Sequence, residues 1–152
     1  MRYSALALGL YVCLSSAANG VKAATGDAHL VELSYDKNQV FQIKVKKNTA
    51  TRIVLEAGEH IISSATGFPS DCKKENNDWC VVANVGESAL FVKSRNHAEG
   101  TNNLELSTYR RIYSLELTTV KELAGELPMY RVTFTYPAVA NAANAGPWQW
   151  DI

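Results

Sequence analysis

The stretch Pro128-Met129-Tyr130-Arg131-Val132-Thr133-Phe134-Thr135-Tyr136-Pro137 decides the fold class of this chain. Its large side chains (Tyr130, Val132, Phe134, Tyr136) alternate with polar ones (Arg131, Thr133, Thr135). Successive side chains of a strand point to opposite faces of the sheet, so this alternation buries one face and leaves the other exposed to solvent. This pattern predicts a half-buried β-strand that ends at Pro137.

The same alternation recurs upstream of this strand. Apolar positions alternate with polar ones in 41–46 and 113–117. Shorter β-branched, aromatic or leucine-rich runs that also suit strands occur at 52–55, 60–65, 79–83, 89–93 and 103–108. Glycine-containing turns at 56–59 and 84–87 separate some of them. The sequence therefore predicts an all-β protein, an antiparallel β-sandwich of about eight short strands. The segment 120–127 precedes Pro128, and we expect a loop or a single turn there.

The N-terminus has the order of regions found in a secretory signal. One basic residue, Arg2, precedes an apolar run, and Val21-Lys22-Ala23 then offers small residues for a signal peptidase. We expect residues 1–23 to be removed, with cleavage after Ala23 and export to the periplasm. Cys13 is not expected to carry a lipid, because bulky residues precede it where a lipidation box has small ones.

The remaining composition describes an ordinary globular domain. The chain has 152 residues, equal numbers of basic and acidic residues and 47% hydrophobic residues. Loss of the basic residues of the signal leaves a slightly acidic protein, which gives no indication of nucleic acid as a partner. Cys72 and Cys80 then remain, and in an exported protein they predict one disulfide around a polar loop. Such a short loop contributes roughly 2–3 kcal/mol of stability.

The domain organisation follows from composition. We assign 1–23 to the signal peptide and 24–137 to the β-sandwich. Residues 138–147 form an alanine- and asparagine-rich linker. The tail 148–152 alternates tryptophan and isoleucine with polar residues, and we interpret it as the start of a missing or truncated C-terminal domain.

No catalytic, cofactor-binding or metal-binding residues are predicted, and we do not expect an enzyme. GxSxG, GxGxxG and GK[ST] motifs are absent from the sequence. His29, His60 and His97 lie in unrelated contexts and are interpreted as solvated loop histidines. Glu56 and Glu59 flank a glycine turn, where we expect both carboxylates to be open to solvent and therefore unsuited to acid–base work.

Two basic clusters have plain interpretations. The lysines of 44–47 are interpreted as a solvated face that discourages edge pairing. Arg110-Arg111 follows Tyr109 at a hairpin turn, and one such aromatic–basic cluster is weak evidence for single-stranded nucleic acid.

Taken in order, the strand motifs resemble those of the TrbG/CagX conjugal-transfer family, the ninth subunit of Vir-B-type type IV secretion systems. The resemblance covers 33–137 and rests on an ordered set of motifs: YDKNQVFQI at 35–43, TRIVLEAGE at 51–59, Trp79, LFVK at 90–93, Thr101-Asn102 with Leu104, RRIYSLEL at 110–117 and PMYRVTFTYP at 128–137. The chain departs from the family at Lys93-Ser94, where lysine–proline is usual, and at Asn102-Asn103, where one asparagine is usual. The Cys72–Cys80 loop is a local elaboration.

The resemblance implies a periplasmic N-terminal sandwich that packs with copies of itself in a ring and holds the membrane-spanning scaffold subunit of the same machine. Contact with an outer-membrane lipoprotein belongs to the family's C-terminal domain, so it is not carried over to this chain. No contact residues are assigned. The alternative is a stand-alone periplasmic module that binds peptide or carbohydrate, with Trp79 as the main candidate residue although its neighbours favour the core. A hydrolase is the third hypothesis.

Overall fold

The computed structural model of the protein describes residues 26–95, 98, 100–121 and 124–136. The predicted signal peptide 1–23, the linker 138–147, the tail 148–152 and His97 lie outside the described residues. The strands in the described part of the chain are β1 (Leu30–Ser34), β2 (Val40–Val45), β3 (Ala50–Val54), β4 (Ile61–Thr66), β5 (Trp79–Val82), β6 (Ala89–Ser94), β7 (Thr101–Thr108), β8 (Ile112–Thr119) and β9 (Arg131–Thr135).

These strands form a two-layered sandwich, which confirms the predicted all-β fold. One sheet has five strands in the order β1-β9-β3-β6-β5, and the other has four in the order β2-β8-β7-β4. No helix in the described residues is long and apolar enough to cross a membrane. Within 120–127, the amide of Ala124 donates to the carbonyl of Lys121 at 3.0 Å, which closes a single turn.

The sheets are mixed, whereas purely antiparallel sheets were predicted. β1 pairs with β9, β2 with β8, and β3 with β9 in parallel. Alternation of side chains reports which face is buried but not strand direction, so the sequence pattern could not reveal this. Strand β1 was also missed. It lies at a sheet edge, where its inward side chains Val31 and Leu33 are only partly buried.

The core lies between the two sheets. Aromatic rings occupy one end of it, with Phe134 packing edge-on against Phe41 at 4.8 Å between centroids and against Tyr113 at 5.0 Å. Trp79 is 1% exposed and belongs to this core. Its burial agrees with the expectation from its apolar neighbours and removes it as a candidate binding residue.

The predicted disulfide joins Cys72, in the loop between β4 and β5, to Cys80 on β5. The base of this loop is held by Arg95, whose guanidinium donates to the carbonyl of Cys72 at 2.8 Å. The amide of Val81 donates to the carbonyl of Ser70 at 3.0 Å. These contacts cover part of the open side of β5.

Candidate functional site

The turn Glu56-Ala57-Gly58-Glu59 leads from β3 in one sheet to β4 in the other. The amide of Glu59 donates to the carbonyl of Glu56 at 2.9 Å, and Gly58 adopts a φ of +77°. Only glycine adopts this left-handed conformation without steric cost. The turn directs the side chain of Glu59 into the interior, where it is 0% exposed.

The buried Glu59 carboxylate is held by side chains from the β7–β8 hairpin. Arg111 Nη1 lies 2.6 Å from Glu59 Oε2 and the Tyr113 hydroxyl lies 2.9 Å from the same oxygen. The hydroxyl of Thr108 donates to Oε1. A buried carboxylate without such partners would be strongly unfavourable. One ion pair and two hydroxyl donors therefore compensate for its burial.

The expectation that both carboxylates lie open to solvent is wrong for Glu59. Its partners stand about fifty positions further along the chain, and strand order brings them to the turn. The doublet Arg110-Arg111 was noticed in the sequence, but no local pattern linked it to the Glu-Ala-Gly-Glu turn.

Arg111 joins the two carboxylates of this turn. The same Nη1 atom lies 2.7 Å from Glu56 Oε2, and the guanidinium lies 3.9 Å from the centroid of the Tyr136 ring. Burial opposes the charge of Arg111, but its hydrogen bonds to Glu56 and Glu59 outweigh that effect and raise its pKa. The hydrogen bond from Arg111, with a further one from Arg110, holds the pKa of Glu56 below its usual value. Glu56 and Arg111 therefore both stay charged and paired with each other at neutral pH.

Two tyrosines complete the buried side of this network. The hydroxyls of Tyr113 and Tyr136 lie 2.9 Å apart. Burial, followed by their mutual hydrogen bond, raises the pKa of Tyr113, and burial also raises the pKa of Tyr136. Both phenols therefore remain protonated at neutral pH, and Tyr113 acts as a hydrogen-bond donor rather than as a base.

An open cleft of about 480 Å³ borders this network on its outer side. It is lined by Tyr35, Lys37 and 108–112. The hydroxyl of exposed Tyr109 donates to the carbonyl of Gly58 at 2.7 Å, and Arg110 lies over the Tyr109 ring and pairs with Glu56 at 2.9 Å. Because Glu56 and Glu59 already balance both arginines, the cleft suits a side chain or a peptide group better than a small anion.

The remaining candidate residues are not among the partners of Glu59. His29 is half-buried, stacks on Tyr130 at 4.3 Å and lies 2.7 Å from the carbonyl of Pro128 through Nδ1, so its interpretation as a solvated histidine is wrong. His60 is exposed beside Tyr109. No group of three or more metal-ligating side chains is found in the described part of the chain. The predicted wet lysine face at 44–47 begins on β2, which is an edge strand.

The exposed strand edges are a second candidate for function. β1 and β5 are the edges of one sheet, and β2 and β4 are the edges of the other. β1 and β2 carry one charged residue each, Glu32 and Lys44. The open side of β5 is partly covered by the hydrogen bond from the Val81 amide to the carbonyl of Ser70. β4 differs, since it has four consecutive exposed residues without charge, from Ile62 to Ala65. Edges of this kind are able to pair with another strand.

The sequence was compared with known proteins. It matches the model of the family described as CagX, conjugal transfer protein, over residues 28–150, which is most of the chain and includes the whole described sandwich. A search of curated proteins gave no match. The match confirms the resemblance deduced from the ordered strand motifs. The chain therefore belongs to the CagX family of conjugal transfer proteins.

Proposed function

We propose that the chain is a structural, non-enzymatic subunit of the periplasmic core complex of a type IV secretion or conjugation machine, packed in a ring and bound to the membrane-spanning scaffold subunit. Membership of the CagX family supports a subunit related to type IV secretion and is the observation that carries this proposal. The matched region spans the whole sandwich, so the proposal concerns the folded domain itself.

The strand edges support an assembly role. The uncharged β4 edge is bordered by exposed Phe68, and Ile62 is exposed within it. An extended segment of a partner could add to such an edge through main-chain hydrogen bonds, with its side chains meeting these apolar groups. A scaffold subunit that threads through a ring would supply segments of this kind.

The candidate site supports a structural role rather than catalysis. Its acidic groups, Glu56 and Glu59, are both engaged by Arg111, and Tyr113 is fixed as a donor. A general base needs a group that is free to accept a proton from substrate. The network instead joins β3, β4, β7, β8 and the end of β9, which stabilises the shape of the domain.

Affinity purification from cells that carry the complete machine tests the proposal. The full chain, tagged at its C-terminus, is extracted from detergent-solubilised envelopes, and we expect it to retain several copies of itself and the scaffold subunit. A chain that is recovered alone and monomeric from such envelopes would contradict the proposal.

Export is tested separately by sequencing the N-terminus of the purified chain. We expect the mature protein to begin at Ala24 and to fractionate with the periplasm. An N-terminus at Met1 would refute export through cleavage of residues 1–23.

The second candidate function is a stand-alone periplasmic module that binds peptide or carbohydrate. The cleft beside half-buried Tyr35 and exposed Tyr109 favours it, because an aromatic ring at an open cleft can stack on a ligand. Titration of the purified chain with oligosaccharides and extended peptides, monitored by calorimetry, tests this function. Binding that is lost in Tyr109→Ala but kept in Tyr130→Ala, an exposed tyrosine away from the cleft lining, would support it.

A further inference from the structure

The two outer faces of the sandwich carry charges of opposite sign. The basic face comprises the outward side chains of β5, β6, β3, β9 and β1, and the acidic face comprises those of β2, β8, β7 and β4. On the basic face, strand register aligns one row across all five strands: Val82, Phe91, Arg52, Arg131 and Leu30. This row places two guanidinium groups side by side between apolar residues.

The cations of the basic face lack carboxylate partners within the part of the chain that the structure describes. Arg52 and Arg131 occupy directly paired positions on neighbouring strands, about 4.8 Å apart. Lys93 stands diagonally from Arg52, since it is paired with Ala50. None of these three cations forms an ion pair with a carboxylate among the described residues. The face also carries the carboxylate of Glu32, next to Thr133.

Like charges directly opposite each other destabilise a sheet. Arg52 has a partial compensation, because its guanidinium lies 5.8 Å from the centroid of Phe91, which is itself 42% exposed. Arg131 has no comparable contact among the described residues. An anionic group placed over this row would therefore attract both guanidinium groups and offset the repulsion between them.

The acidic face offers such groups. Glu105 is paired with Ser114, and Glu116 is paired with Asn103, so the two carboxylates occupy diagonal positions on β7 and β8. The lysine of this face, Lys44, is already placed 3.9 Å from Glu126. Neither Glu105 nor Glu116 forms an ion pair with a described cation.

Apolar groups accompany the charges on both faces. Val40 and Ile112, the latter 62% exposed, border the acidic face, as Val82 and Leu30 border the basic row. Each face thus combines exposed aliphatic side chains with charges of one dominant sign. This combination is suited to an interface that is both apolar and electrostatically complementary.

We propose that the basic face of one copy packs against the acidic face of the next, so that copies associate head to tail. This inference rests on the proposed function and names the surfaces by which the ring would form. Pairing of a face with its own equivalent across a two-fold axis would bring Arg52 and Arg131 against the same residues of the partner, or carboxylates against carboxylates. Head-to-tail contacts avoid this repulsion, and they generate a closed ring when the rotation between copies closes.

Charge reversal in the full chain tests the proposal. Arg52→Glu/Arg131→Glu reverses the basic face, and Glu105→Lys/Glu116→Lys reverses the acidic face. Two differently tagged copies are expressed together in cells that carry the machine, and their co-purification from solubilised envelopes is measured. We expect either double variant to co-purify with itself on the order of tenfold less than the wild type does.

Restoration provides the decisive comparison. A copy with the reversed basic face should co-purify with a copy that has the reversed acidic face, because opposite charges meet again at their contacts. The chain with all four substitutions should likewise regain co-purification with itself, which also shows that the substitutions permit folding. The matched control for the reversed basic face is Lys73→Glu/Lys74→Glu. It lowers the net charge of the chain by the same amount, but on the exposed disulfide loop, and should leave co-purification unchanged.

Two outcomes would overturn the face-to-face contact, and a third would refute the proposed function on which it rests. Copies of each double variant that stay together as in the wild type would show that other surfaces form the ring, and the proposed function would stand. Loss without restoration in the mixed or fourfold variants would show that the charges do not meet. Wild-type copies that never co-purify would instead refute the proposed function itself.

Discussion

Removal of the Arg111 guanidinium should destabilise the sandwich far more than removal of its neighbour. In Arg111→Ala the carboxylate of Glu59, which is fully buried, would lose the cation 2.6 Å from its Oε2 atom and retain only the hydroxyls of Thr108 and Tyr113. Breaking a buried ion pair by removal of one partner costs about 3–5 kcal/mol. For a domain of this size that loss lowers the melting temperature by on the order of 10–20 °C.

The adjacent residue provides the control. Arg110 pairs only with Glu56 among the described carboxylates, and its side chain is 45% exposed, so Arg110→Ala should cost much less than Arg111→Ala. Both variants are compared with the wild type by thermal and urea unfolding of the purified domain. Arg111→Ala also loses the stacking of the guanidinium on the Tyr136 ring. The double variant Arg111→Ala/Glu59→Gln separates this stacking contribution from the cost of leaving the Glu59 carboxylate unpaired.

Neutralising the carboxylate should recover a large part of the stability lost in Arg111→Ala, since a glutamine in place of Glu59 would no longer bury an unpaired charge. The stacking loss would remain in the double variant. Equal costs for the Arg110 and Arg111 substitutions, or no recovery in the double variant, would refute the view that Glu59 depends on Arg111.

Three further perturbations address other contacts of the domain. Cys72→Ser/Cys80→Ser should lower the free energy of unfolding by about 2–3 kcal/mol, measured by urea unfolding with and without reductant; a wild type insensitive to reductant would contradict this. Tyr113→Phe removes a buried donor from Glu59 and should cost about 1–2 kcal/mol in thermal unfolding, and an unchanged melting temperature would contradict it. The pKa of Glu56 is lowered in the folded state, first by the hydrogen bond from Arg111, so its stabilising effect is complete above about pH 4.5 and is lost as pH falls through the lowered pKa. The stability difference between wild type and Glu56→Gln should therefore shrink below pH 4.5; a difference that stays constant from about pH 7 to about pH 3 would argue against the ion pairs.

Much of the sandwich could be predicted from local patterns. The strands with clear alternation, β2, β8 and β9, were recognised because each buries every second side chain between the sheets. The motifs carried by these strands then supported the resemblance to the CagX family over residues 33–137. Strand β1 escaped prediction although its burial alternates, because it is a short edge strand whose inward side chains, Val31 and Leu33, are only partly buried.

The pairing of strands and the site at the end of the sandwich could not be predicted in this way. The parallel contacts join strands that lie far apart in the chain, β1 with β9 and β2 with β8, and nothing local encodes them. The burial of Glu59 depends on the same long-range order, because its partners reach it only when β7 pairs with β4 and β8 pairs with β7. A turn that contains two glutamates is ordinarily exposed to solvent, and here the tertiary contacts bury one of them instead.

The buried network also bears on the proposed assembly. The turn with Glu59 connects β3 of the basic face to β4 of the acidic face, Arg111 belongs to the hairpin of the acidic face, and Tyr136 follows β9 of the basic face. These contacts therefore fasten the two sheets to each other at one end of the sandwich. In a head-to-tail ring, the angle between the two faces of each copy determines the rotation from one copy to the next. A network that fixes the sheets relative to each other would consequently fix that rotation, so loss of Arg111 should impair ring closure even in molecules that remain folded.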